Sequence, residues 1–341
     1  MNLGSRSLLA GLALALAGLA PALAAPTVPA PRVAEHPASV APRDGTDPRL
    51  TRDLFVRRTL AARAGAAFRE IAREPQALWL TGGPEPTRHT REYVRRAEAA
   101  DRTPMLVVYN IPGRDCGQFS AQPSPVSGAQ YRAYVRAVAA GLTDSHPLVV
   151  LEPDALSFVG DTGCGGQGAR LALLRDAVRV LGAAGAWVYV DAGNSGWQPP
   201  GRMARLLQRV DVAGARGFAT NVAHTRAKVD ELAYARAIAA RLARRGISGV
   251  HAVIDVGRSG AGRAGPDPRD YCNPVAARLG EPPRTVFSGV VDALLWIKPP
   301  GESDGYCNGG PAAGEFFPSG ACRLMGQSWA YYDDYRRVCV G

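Results

Sequence analysis

Short apolar runs recur along this chain, and in nearly every case an acid or amide appears as the run stops. They are Ala77–Leu80, Met105–Tyr109, Leu148–Leu151, Trp187–Val190, Gly217–Thr220, His251–Ile254 and Val291–Ile297. Between them lie stretches such as Gln130–Thr143, Gly168–Gly182 and Asp230–Arg245, with apolar residues three and four apart. That spacing is the periodicity of helices with one buried face. Strands that are apolar throughout need cover on both faces, and strand–helix alternation supplies it around a parallel sheet. About seven such units fit a closed or nearly closed α/β barrel better than an open sheet.

The ends of the runs carry the polar chemistry. They read Y-N-I-P-G-R-D-C, L-E-P-D-A-L, V-D-A-G-N-S-G-W, A-T-N-V, I-D-V-G-R-S-G and I-K-P-P-G-E-S-D-G. In a parallel α/β fold the carboxyl ends of the strands hold the functional site. One or two acids there would be ordinary helix caps. So many, each beside a turn residue, point to a cleft lined by carboxylates.

Ahead of the first run, L-L-A-G-L-A-L-A-L-A-G-L-A follows Arg6 and leads to Ala22-Leu23-Ala24, a small-x-small cleavage pattern. Residues 1–24 read as a signal peptide cleaved near Ala24, giving a secreted protein with no membrane attachment after its removal. Residues 25–48 form a proline-rich leader without periodicity, and 49–341 a single domain in a chain of 341 residues. The formal charge is +10, and +9 without Arg6. The arginines are scattered along helical patterns with no aromatic interleaving, which argues for solvated faces rather than a nucleic-acid surface. Only Lys228 and Lys298 are lysines, so each invites a specific reason. The six cysteines, Cys116, Cys164, Cys272, Cys307, Cys322 and Cys339, are even in number and widely spaced. They suit disulfides in an exported chain better than a metal site, because no C-x-x-C or H-x-x-x-H occurs.

Carboxylates without metal spacing or a phosphate loop suit glycoside hydrolysis, which needs one protonated acid and one carboxylate. Trp79, Tyr109, Trp197 and Tyr271, near run ends, offer faces on which sugar rings stack, whereas Trp187 and Trp296, inside apolar runs, read as core. V-I-D-V-G-R-S-G-A superficially resembles a serine-hydrolase elbow at Ser259, but A-G-R-A-G-P-D-P follows it where a helix is required. No Walker-type loop and no G-x-G-x-x-G after a strand appears, so nucleotide chemistry is unsupported and no cofactor is expected.

Taken together, these blocks resemble glycoside hydrolase family 6, the bacterial and fungal endoglucanases and cellobiohydrolases, from about Trp79 to Met325 and in family order. The resemblance implies a distorted parallel (β/α) barrel of about seven strands that cleaves β-1,4-glucan with inversion and without a metal. It implies that Asp154 is the proton donor, Asp115 its assistant and Asp304 the candidate base. It places Trp79, Tyr109, Asn194, Trp197, Asn221, Tyr271, Lys298 and Glu302 at sugar-binding positions. It also implies the disulfides Cys116–Cys164 and Cys272–Cys307, leaving Cys322–Cys339. The expected partner is a β-1,4-glucan polysaccharide or oligosaccharide, bound by a monomer. Compact segments between the paired cysteines favour an open groove and internal bonds, hence an endoglucanase. The chain departs from the family at Asn110 (commonly Asp), Asn194 (commonly His) and Tyr271 (commonly Trp). These departures touch sugar contacts, so a carbohydrate-binding protein with weak activity is the alternative.

Overall fold

The unbroken apolar runs are strands buried on both faces, and alternate residues along them enter different cores. In the computed structural model, described here for residues 47–341 except 143, 144, 162, 165, 166, 268 and 332–336, they become β1 (Leu78–Leu80), β2 (Met105–Val108), β3 (Leu148–Leu151), β4 (Trp187–Asp191), β5 (Gly217–Thr220), β6 (His251–Asp255) and β8 (Val291–Leu295). All run parallel, in the order β1-β2-β3-β4-β5-β6-β8. Met105, Val107 and Tyr109 point into an inner core with Trp187, Tyr189 and Val253. Leu106 and Val108 point outward, under the helices. This alternation is the period-two geometry of a strand, with both faces supplied with apolar partners.

Helices α3 (Pro86–Ala99), α4 (Gly128–Leu142), α5 (Gln167–Ala183), α6 (Pro200–Arg209) and α7 (Lys228–Ala243) connect successive strands. Two short helices, α1 (Leu60–Ala64) and α2 (Arg69–Ala72), precede β1, and α8 (Pro318–Leu324) follows the last barrel strand. The sheet curls without closing by strand pairing among the described residues. Its edges are β1 and β7 (Arg284–Ser288), which returns antiparallel to β8 through a turn at Gly289, φ 59°. Two bonds span the gap near β1: Ala77 N–H to the Trp296 carbonyl at 3.2 Å, and Trp79 Nε1–H to the Ile297 carbonyl at 2.8 Å. The pattern of apolar runs does not include β7, because its side chains are exposed or only half-buried. Nor does it include the ribbon of β9 (Ser328–Tyr331) and β10 (Arg337–Val340).

Asp47 and Pro48, assigned by sequence to the leader, belong to the packed body. The Asp47 carboxylate is buried against the Arg49 guanidinium at 2.6 Å. The signal peptide and the rest of the leader lie outside the described residues. The cysteines pair as Cys116–Cys164, Cys272–Cys307 and Cys322–Cys339, with Cα–Cα distances of 5.1, 6.0 and 5.4 Å. The first two tie down loops at the carboxyl ends of the strands. The third fastens β10 to α8.

A buried charge cluster lies at the opposite, amino ends of the strands. There Asp292, nearly inaccessible, accepts from Tyr189 Oη at 2.7 Å and from Arg216 at 2.7 and 2.9 Å, with His251 Nδ1 at 3.0 Å. The Arg216 and Arg49 guanidiniums both lie over the buried Trp187 ring, at 4.0 and 4.2 Å. Burial pushes the Asp292 carboxyl up, but His251 and Arg216 outweigh it and hold it below its ordinary range. The stabilisation is therefore present above the unfolded carboxyl's pKa and lost as pH falls through the lower folded value. Asp292→Asn leaves Arg216 without its counter-charge and is expected to cost about 3 kcal/mol. Urea titration at pH 7 and pH 3 checks this, with the difference between the proteins smaller at pH 3.

Candidate active site

The acids at the strand ends divide into two sets. Glu152, Asp191 and Asp255 stand at or just after the ends of β3, β4 and β6, are almost wholly buried, and point into the protein to hold loops. Glu152 accepts the N–H groups of Asn110 and Ile111 at 3.0 Å. Asp191 accepts those of Asp154 at 2.8 Å and Gly193 at 3.0 Å. Asp255 accepts those of Lys298 at 2.9 Å, Gly257 at 3.0 Å and Ala223 at 3.1 Å. Burial raises all three carboxyls, Glu152 to about 7.

The second set lies further along the loops and faces a cleft of about 850 Å³, lined among others by Asp115, Asp154 and Asp304. Asp115 and Asp154 have positive φ, 56° and 68°, as do Cys116, Glu152, Asn221 and Ala223 nearby. Such conformations cost non-glycine residues roughly 1–3 kcal/mol each and collect at functional sites. They are held here by the buried acids and by the Cys116–Cys164 bridge.

Asp115 and Asp304 occupy opposite electrostatic settings. Burial raises the Asp115 carboxyl, and the Asp154 charge adds to it, against hydrogen bonds from Ser120 N–H at 2.6 Å and Oγ at 2.9 Å. Burial also works to raise Asp304, but Arg258 at 2.6 Å and Lys298 at 3.4 Å hold it below its ordinary range. Asp154 has His224 Nε2 at 3.5 Å from Oδ1. One cleft thus contains a carboxyl biased toward its protonated form and another biased toward ionisation, the divergence that acid–base chemistry requires.

The rest of the cleft suits a sugar chain. Trp79 and Tyr109 meet edge to face at 5.3 Å, with Lys298 Nζ 5.8 Å from the Trp79 ring centre. Lys298 also donates to the Ser303 carbonyl at 2.8 Å, and Glu302 lies 3.6 Å from Arg57. Tyr271 is exposed on the rim, 6.3 Å from Phe119, and donates to Gln118 Oε1 at 2.6 Å. Phe119 and Tyr306, which sequence reasoning did not single out, are also exposed cleft-lining aromatics. Trp197 is half-buried beside the cleft, against Phe158 at 4.9 Å and His224 at 5.7 Å.

Two expected sugar contacts sit elsewhere. Asn221 is fully buried and donates to the Asp255 carbonyl at 2.8 Å and Ser259 Oγ at 3.0 Å. Asn194 is buried, its Oδ1 accepting from Gly196 N–H at 2.9 Å. Both brace loops rather than line the cleft. Asn110 does likewise, its carbonyl accepting from Gln122 at 2.8 Å. Ser259 is buried, its Oγ accepting from the Asn221 amide at 3.0 Å. Trp187 and Trp296 are core.

A family model described as Glycosyl hydrolases family 6 matches residues 52–328. The chain belongs to this family. It is 43% identical over 256 residues to endoglucanase A of Cellulomonas fimi, a match covering 74% of this chain and 54% of that protein. It thus spans about half the length of that relative. A probable 1,4-β-D-glucan cellobiohydrolase C of Aspergillus niger is 31% identical over 287 residues, covering 70% of this chain and 61% of that one. The endoglucanase Cel6 of Mycobacterium tuberculosis, solved with methyl-cellobiosyl-4-deoxy-4-thio-β-D-cellobioside, superposes with a TM-score of 0.75 at 37% identity. That superposition covers 82% of this chain and 98% of the other.

Beside Phe119 and Tyr306, the site of this family 6 member includes Arg258, His224 and Asp191, whose roles the sequence alone does not mark. Arg258 lies inside the I-D-V-G-R-S-G block, where only the serine resembles a catalytic motif. His224 follows A-T-N-V by two positions, with no recognisable spacing to any acid. Asp191 was visible as a strand-end acid, but only the fold reveals that it anchors the Asp154 backbone.

Proposed function

We propose that this chain is an endo-β-1,4-glucanase that hydrolyses internal bonds of cellulose-like glucans with inversion. Asp154 donates the proton to the leaving oxygen. Asp115, held toward its neutral form, assists it, and Asp304, held ionised by Arg258 and Lys298, serves the base side that activates water. Trp79, Tyr109, Tyr271, Lys298 and Glu302 hold the sugar chain along the cleft. The observation that carries this reading is the opposite bias of Asp115 and Asp304 within one aromatic-lined cleft. The exposed rim at Phe119, Tyr271 and Tyr306 favours a chain lying across the groove over one threaded through a tunnel.

The protein acts as an exported monomer, directed by residues 1–24. Among the described residues no helix is long and apolar enough to cross a membrane.

Two measurements test the proposal. Carboxymethylcellulose should lose viscosity early, before much reducing sugar appears; steady release of cellobiose without viscosity loss would refute internal cleavage. Proton NMR of the first-formed product should detect the α-anomer, and an initial β-anomer would refute inversion.

A further inference from the structure

His224 is the one side chain in an ion-pair contact with Asp154 among the described residues, and the Asp154 role proposed above does not use it. Its Nε2 lies 3.5 Å from Asp154 Oδ1, and its ring is 5.7 Å from Trp197 at 74°. Both side chains are mostly shielded, 17% and 16% exposed. The ring is carried by a tight turn after β5, where His224 N–H donates to the Asn221 carbonyl at 2.9 Å and Ala223 has a φ of 61°. Ala223 is held in turn by the Asp255 carboxylate and the Arg258 guanidinium, so the imidazole is braced from two sides.

The charged groups around it come from four elements. Asp154 follows β3, Asp191 ends β4, Arg258 follows β6, and Glu231 lies on α7. Burial favours the neutral ring and Arg258 opposes its charge, yet Asp154 and then Asp191 outweigh them and raise the imidazole above its ordinary 6.5. Asp191 Oδ1 is buried and has no hydrogen-bond partner among the described residues.

We propose that His224 is the proton reservoir of Asp154, holding on Nε2 the proton that reloads the acid after each cleavage. This rests on Asp154 being the proton donor. As the anomeric C–O bond breaks, its electron pair passes to the leaving oxygen, which takes the Asp154 proton while water bonds to the anomeric carbon. The water's surplus proton leaves on the Asp304 side. The Asp154 carboxylate then takes the proton from His224 Nε2, and the neutral imidazole recovers one from solvent. In this scheme the pair titrates as a unit. The proton held on His224 stays available until the imidazolium gives it up to solvent, so catalysis persists toward neutral pH. Without the imidazole, Asp154 has no adjacent group from which to recover its proton, and the basic limb of the profile falls.

The test combines pH–rate profiles on a soluble cello-oligosaccharide with histidine NMR of the whole protein. In His224→Asn and His224→Gln, the basic limb of kcat/KM should move at least one unit lower, an added loss of about tenfold on the alkaline side. In the wild type, His224 should titrate above 6.5, and in Asp154→Asn that value should fall. A wild-type His224 titrating at or below 6.5 overturns the proposal without any variant. A basic limb unmoved in both His224 variants, with Asp154→Asn inactive, overturns the reservoir and leaves Asp154 as the acid. An Asp154→Asn enzyme that still cleaves the oligosaccharide overturns the donor role and the reservoir together.

Discussion

Asp154→Asn should lower kcat/KM on an unactivated cello-oligosaccharide by about 10³-fold, within the range that a positioned general acid contributes. The replacement is close in shape, and the backbone N–H that anchors this residue to Asp191 at 2.8 Å remains. Folding is therefore expected to survive while the transferable proton disappears. A glucoside whose leaving group is a dinitrophenolate needs little protonation, so the same variant should lose at least about tenfold less on it. The contrast between substrates carries the test. Equal losses on both would place the acid elsewhere and leave Asp154 a positioning residue. Unfolding would appear as a changed melting transition, separable from either result.

The barrel was legible because a parallel sheet covered on both faces imposes an unmistakable pattern. Every parallel strand from β1 to β6, and β8, coincides with an apolar run to within a residue or two. What the pattern missed, β7 and the β9–β10 ribbon, lies at edges where burial is incomplete. At the site the sequence displayed the right acids without separating their tasks. Glu152, Asp191 and Asp255 look in sequence like the rest of a carboxylate-lined cleft, yet each is turned inward to collect backbone N–H groups. The difference is one of direction, set by loop backbone with positive φ at Glu152 and Asp154, which residue identity does not encode. The amides at 194 and 221 posed the same problem: an Asn after a strand serves equally to bind a sugar hydroxyl or to brace a turn. Pairings across the barrel, Arg258 with Asp304 and His224 with Asp154, join residues 46 and 70 positions apart and become visible only when the strands are side by side.

Arg258→Ala should be the most damaging single change around the cleft that leaves every catalytic carboxylate in place. Arg258 Nη1 lies 2.6 Å from Asp304 Oδ2, the two side chains being 5% and 14% exposed, and its Nη2 donates to the Ala223 carbonyl. Removing one partner of a buried pair typically costs about 3–5 kcal/mol, because the other charge is left without compensation. Lys298 at 3.4 Å and the Asn273 N–H at 2.9 Å still face Asp304, which places the expected loss near about 3 kcal/mol. The pH dependence follows from the sign. In the wild type the Asp304 carboxyl is held below its ordinary value, so its stabilisation is present above the unfolded pKa and lost as pH falls through the folded one. In the variant burial is opposed by fewer charges and the carboxyl rises, so the stability deficit is greatest near neutrality and narrows in acid. The same rise should move the acid limb of kcat/KM to higher pH, since the base side must be ionised. Arg258→Lys should restore only part of either effect, because an ammonium cannot reach both Asp304 and the Ala223 carbonyl with a planar fork. Denaturant titrations and pH–rate profiles of the three proteins decide the matter. A variant within about 1 kcal/mol of wild type, with its acid limb unmoved, would mean that Lys298 alone keeps Asp304 ionised and that Arg258 serves only the Ala223 turn.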